Sequence, residues 1–108
     1  MGEADILQGI AAAKLIEYQP GTIVSKILVK SPSGTITVFA FDKGQELSEH
    51  TAPHDALVML LDGEAEFQVS GKLHALKSGD ALLMPARAPH AVKATQAFKM
   101  LLVMIRSE

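Results

Sequence analysis

Short apolar runs broken by turn residues organise the chain. Glu64–Val69 alternates without a fault: Ala65, Phe67 and Val69 share one parity, and Glu64, Glu66 and Gln68 the other. A period of two predicts a half-buried strand. Thr22–Lys30 and Thr35–Phe41 are rich in β-branched and aromatic residues and read as strands on either side of the turn Ser31-Pro32-Ser33-Gly34. Ala56–Leu61 is an apolar run closed by Asp62-Gly63, a hairpin-type turn signal. Leu73–Lys77 and Ala81–Met84 follow as strands, separated by Ser78-Gly79-Asp80. Pro85 and Pro89 flank a loop, Ala91–Ala94 continues it, and Ala97–Ile105 is the last strand. Many short strands at this spacing predict an all-β sandwich or barrel.

Two segments depart from the rhythm. Ala4–Lys14 places Ile6, Leu7, Ile10 and Ala13 at helical spacing behind Asp5, which predicts a short N-terminal helix, with Gly9 an awkward member. Met100–Ile105 is apolar on both parities. An antiparallel strand of that kind needs cover on both faces, which the N-terminal helix or a second subunit would supply. We expect a homodimer.

Composition narrows the field. The 108 residues carry a formal net charge of −2, with 48% apolar and 20% charged positions. This suits one globular domain, divided here into a helix and lead-in over residues 1–20 and a single barrel over residues 21–108. Lys and Arg are scattered and form no basic stripe, which argues against nucleic acid and anionic membranes as partners. No run approaches the length of a membrane span. There is no cysteine, so thiolate catalysis, disulfides and Cys-based metal sites are excluded. The acidic start, Met1-Gly2-Glu3-Ala4-Asp5, lacks the features of a secretory signal, and a cytoplasmic location is expected.

The chemistry-bearing residues gather in two segments. The first runs from Gly44 through His50, Ala52, His54 and Ala56 to Gly63; the second from Gly79 through Pro85, Arg87 and Pro89 to His90. Together they resemble the cupin superfamily, whose motifs are G-x5-H-x-H-x3/4-E-x6-G and G-x5-P-x-G-x2-H-x3-N. The resemblance spans roughly Ile23 to Ile105. It implies a cupin-type antiparallel jelly-roll β-barrel with a site inside. In metal-binding members it also implies three His and one Glu around a divalent transition metal, Zn, Fe, Ni, Mn or Cu. Carried over by position, His50 and His90 match the first and last of those His. Ala52 and Ala56 stand where the second His and the Glu would be, Arg87 where a glycine would be, and Ala94 where the asparagine would be.

Candidate metal ligands are therefore His50, His90 and, as a replacement, His54. A zinc-type site needs three or four ligands at about 2.0–2.2 Å. Along a straight strand His50 and His54 would stand about 13 Å apart, against about 6.6 Å for an H-x-H pair. His54 needs a bend at Pro53 to reach inward, and Asp55 a bulge. Otherwise His54 is a solvated loop residue. His74, Glu46 and Glu49 read as structural or rim residues, and Met59, Met84, Met100 and Met104 as core fillers, some of them lining the cavity. Two functions follow. One is a small-molecule-binding protein using a metal on His50 and His90, for which the resemblance implies dioxygenase- or isomerase-like chemistry. The other is a metal-free ligand-binding or sensing module, with Ala52 and Ala56 leaving space inside the barrel. A purely structural role would leave the two motif His unexplained.

Overall fold

The computed structural model describes residues 7–106. Eight antiparallel strands make up the fold: β1 Ile23–Ser31, β2 Gly34–Phe41, β3 Glu46–His50, β4 Asp55–Val69, β5 Lys72–Lys77, β6 Ala81–Met84, β7 His90–Lys93 and β8 Phe98–Ile105. They pair in the order β1-β2-β8-β4-β7-β3, with β5 and β6 also bonded to β4. The sheet curls into the expected all-β jelly-roll barrel.

β4 is the hinge of the design. Its first half pairs with β8 on one side and β6 on the other; its second half pairs with β7 and β5. The Asp62-Gly63 hairpin turn predicted from sequence is not there, for the chain runs straight on through a bulge against β8, where the register shifts between Leu60 and Asp62. Gly63 allows this because its φ is +78°, and a Cβ there would lie 2.0 Å from the Ala97 carbonyl oxygen. A positive φ at a bulge, with backbone pressed against it, is a place for glycine. The same Asp-Gly signal that closes a hairpin here bends one long strand from one sheet into the other.

Parity in the strands fixes the interior. Phe41, Val58, Leu60, Phe67, Val92, Phe98 and Met100 form one buried cluster. All four phenylalanines meet in series, Phe41 stacked on Phe98 at 4.5 Å, with Phe67 and Phe39 6.1 Å away at either end. Met59 was expected in the core; it falls on the opposite parity of β4 and lies 40% exposed on the outer face.

The expected N-terminal helix is described only at its end, where Leu7 is helical. Residues 4–6 of the expected helix lie outside the described part. After Leu7 the helix does not continue to Lys14: Gly9 leaves helical space at φ +82°, and Ala12–Lys14 form a separate 3-10 turn. What survives is the cover. Leu15 and Ile16 are buried against Val38 and Ala40 on the outer face of β2, with Leu101 and Tyr18 alongside, at about 1.5–3 kcal/mol for each large apolar side chain. A polar latch holds the segment. The buried Lys99 donates from Nζ to the Ala13 carbonyl at 2.7 Å and lies 4.8 Å over the Tyr18 ring, and the Tyr18 hydroxyl donates to Asp62 at 2.5 Å. This covers β8 as far as Leu101. No helix among the described residues is long and apolar enough to cross a membrane.

Candidate functional site

Two short strands of weak sequence signature, β3 and β7, carry the imidazoles. His50 ends β3, His90 opens β7, and the two are cross-strand partners beyond a register shift. Three contacts fix the loops that lead to them. The Arg87 N–H donates to the Ala52 carbonyl at 2.7 Å, and the Ala86 N–H to Asp55 Oδ1 at 2.8 Å. The Ser70 N–H donates to the Pro89 carbonyl at 2.8 Å, directly before His90. The Pro85 carbonyl accepts from Ala88 N–H at 3.1 Å, and Arg87 has φ +69°. That is a type II turn with Arg87 at the position where glycine is the ordinary choice. The chain has lost the motif glycine and kept the backbone that glycine serves.

The rings of His50 and His90 lie edge to face, with centroids 4.2 Å apart. His50 Nδ1 is 2.8 Å from the Ser48 carbonyl and His90 Nδ1 is 3.1 Å from the Ala88 carbonyl. A carbonyl only accepts, so each Nδ1 is the donor and carries the proton. In the neutral rings both Nε2 atoms then hold a lone pair. His50 is exposed and His90 half-buried at the mouth of a cavity of about 170 Å³. The cavity walls are Phe39, Phe67, Met84, Met100 and Leu102, with Leu47, Ala91 and Val92 nearer the imidazoles.

The other candidates lie apart from this pair. His54 sits half-buried in the loop between β3 and β4, outside the cavity lining, and its Nδ1 is buried with no hydrogen-bond partner. Asp55 spends its carboxylate on the Ala86 amide. Ala56 is buried beside its β6 partner Met84, which lines the cavity. Glu46 and Glu49 are exposed on β3, and His74 is half-buried on β5 opposite Phe67, outside the cavity. Met84 and Met100 line the cavity, as expected of some of the methionines, whereas Phe39, Phe67 and Leu102 were not singled out from sequence. The signal available for them was parity, since Phe39 shares a face with Phe41, and Met100 and Leu102 with Phe98.

The fit to a divalent metal is a matter of counting donors. The cavity offers two imidazoles and no carboxylate. Among the described residues no group of three or more His, Cys, Asp or Glu side chains is placed to hold an ion. Two protein ligands fall short of the three or four that such a site uses.

Comparison with known proteins places the fold. The profile of the cupin domain matches residues 37–106. A cupin 2 conserved barrel domain protein from Leptotrichia buccalis is 48% identical, at a TM-score of 0.84, over 87% of this chain and 46% of its own. A cupin superfamily protein from Desulfitobacterium hafniense is 31% identical, at 0.87, over 91% and 90%. A conserved protein of unknown function from Streptococcus pyogenes is 40% identical, at 0.79, over 83% and 79%. No curated protein matches the chain.

Proposed function

Because the chain belongs to the cupin domain family, we propose that it is a small-molecule-binding module that takes its ligand into the barrel and anchors it on His50 and His90 without a resident metal. The observation that carries this reading is the imidazole pair itself. Both Nδ1 atoms are tied to carbonyls, leaving two acceptors at the mouth of an apolar cavity. Its volume, about 170 Å³, is close to that of the roughly 150 Å³ apolar cavity known to take up benzene. The matching ligand is a single ring or a branched aliphatic body with one O–H or N–H donor. The apolar body displaces water from the phenylalanine and methionine walls, and the donor satisfies an Nε2 lone pair. A cysteine-free chain needs no oxidising compartment, which fits the cytoplasm.

The test compares phenol with benzene by calorimetry on chelator-treated protein. Phenol should bind about tenfold more tightly, the worth of one hydrogen bond, and His90→Ala should erase most of the difference. Equal affinities, or binding that returns only with added metal, would overturn the reading.

A second reading has one observation in its favour. Histidines that ligate metals usually donate the other ring N–H to a carbonyl or carboxylate, as both rings do here. A divalent metal on His50 and His90 would then need its remaining ligands from water or substrate. Elemental analysis of protein purified without chelator decides it. One equivalent of a single transition metal per chain, lost in the His50→Ala, His90→Ala double variant, would select this reading over the first.

A further inference from the structure

The imidazole pair belongs to a longer row. Val69 of β4 pairs with His90 of β7 on one side and with Lys72 of β5 on the other, and His90 pairs with His50 of β3. Directly paired residues point to the same side of a sheet. Val69 is buried, and both imidazoles line the cavity. The order Lys72, Val69, His90, His50 therefore runs along the inner side of the barrel at its mouth. Ser70 and Gly71 hold Lys72 in this register. Both have positive φ, 51° and 81°, as in the two-residue type I′ hairpin that sets its flanking residues opposite each other. The Ser70 N–H donates to the Pro89 carbonyl at 2.8 Å, which ties this turn to the loop that delivers His90. Across two strands at about 4.8 Å each, the Cα atoms of Lys72 and His90 stand about 10 Å apart. The long lysine stem spans much of that gap over the small Val69 side chain. The Lys72 ammonium is exposed, with no ion-pair or hydrogen-bond partner among the described residues. Arg87, in the loop before β7, and Arg106, just after β8, are exposed at the same end of the barrel. Of the two acids there, Asp55 is bonded to the Ala86 amide and Glu49 stands on exposed β3.

We propose that the ligand of this barrel is a 2-hydroxy monocarboxylate with an apolar body, and that Lys72 selects it by holding the carboxylate. The inference rests on the reading that the barrel takes its ligand on the imidazole pair, and adds the charge that reading left open. In a 2-hydroxy acid the hydroxyl and the carboxylate sit on neighbouring carbons, and the apolar body leaves from the carbon that bears the hydroxyl. Placed at the mouth, the hydroxyl donates to a free Nε2, the carboxylate lies on the Lys72 side of His90, and the body enters among Phe39, Phe67 and Met100. A neutral alcohol fills the cavity and leaves the ammonium idle. A second carboxylate on the body would be buried against apolar walls with no partner, at a large desolvation cost. A 2-amino acid would bring an ammonium to a rim that already carries Lys72 and Arg87, where like charges repel. The basic rim also raises the local concentration of anions on a chain whose formal net charge is −2.

Calorimetry at pH 7 with benzyl alcohol, mandelate and methyl mandelate tests the proposal. Mandelate is benzyl alcohol with one carboxylate added beside the hydroxyl, and the methyl ester keeps the shape without the charge. Mandelate should bind about fivefold more tightly than either neutral compound, the gain of one partly exposed ion pair. Lys72→Met, which keeps an unbranched stem at an exposed position, should erase that gain and leave benzyl alcohol binding as it was. Raising the salt concentration should shrink the gain in the wild type only. Mandelate binding no more tightly than benzyl alcohol would overturn the proposal and leave the barrel reading intact. A gain that survives Lys72→Met would also overturn it, by placing the anion elsewhere on the rim. Failure of phenol and all three of these compounds to bind would overturn the barrel reading and this inference together.

Discussion

Arg87 holds a conformation that side chains avoid. At φ +69° in a type II turn, a residue with a Cβ gives up about 1–2 kcal/mol relative to a relaxed backbone. Glycine would recover that but would lose more freedom on folding, about 0.5–1 kcal/mol. Arg87→Gly should therefore stabilise the protein by about 0.5–1 kcal/mol, and a β-branched Arg87→Val should destabilise it, both read from urea midpoints. If Arg87→Gly is the less stable variant, the guanidinium makes a contact that outweighs the backbone strain. His50 and His90 illustrate a second residue-scale point. The motif spacing located them, but their Nδ1 partners are the carbonyls of Ser48 and Ala88, two residues upstream in each case, and a one-dimensional pattern says nothing of which nitrogen is left free.

Among the elements, β4 was read from sequence as two strands and a turn because Asp62-Gly63 carries a strong local signal. Tertiary context overrode it, since β8 lies against the glycine and continues the ladder on both sides. Gly63→Ala would add a left-handed strain and drive a Cβ onto the Ala97 carbonyl, so we expect a loss of about 3 kcal/mol or more, measured by chemical denaturation. A change below 1 kcal/mol would mean that the bulge is able to relax. Most other strands were legible because one face is buried and alternation records it. β3 and β7 were not. Every residue of β3 is exposed, and β7 is four residues long, so neither can write a hydrophobic period. The two imidazoles were found through motif spacing, while the strands that carry them had to be seen. Apart from Met84 and Met100, the apolar walls were legible as core, not as cavity, because parity separates inside from outside and cannot tell a filled interior from an open one.

For the molecule as a whole, the latch of Tyr18, Asp62 and Lys99 ties the N-terminal segment to the barrel, and it has a pH signature. Burial first, then the hydrogen bond to Asp62 and the charge of Asp62, raise the Tyr18 pKa well above its ordinary value near 10. A folded-state pKa above the unfolded one contributes stability that is complete below about pH 10 and declines as pH rises further. The chain has a single tyrosine, so tyrosinate absorbance reports on this group alone. It should stay silent through pH 10 while the fold persists and emerge on unfolding, and Tyr18→Phe should lose stability less steeply above pH 10 than the wild type. Ordinary titration near pH 10 in the intact protein would show that the hydroxyl is free of Asp62. The topology has a consequence for synthesis. β8 lies between β2 and β4, yet the ribosome makes it after every other strand. Until it emerges, β2 and the first half of β4 each keep an unpaired edge beside a strongly apolar face. Such edges template aggregation, so during synthesis the domain is at its most vulnerable just before β8 emerges. Slowing translation over β8 would prolong that exposure, whereas slowing it over β1 and β2 would not.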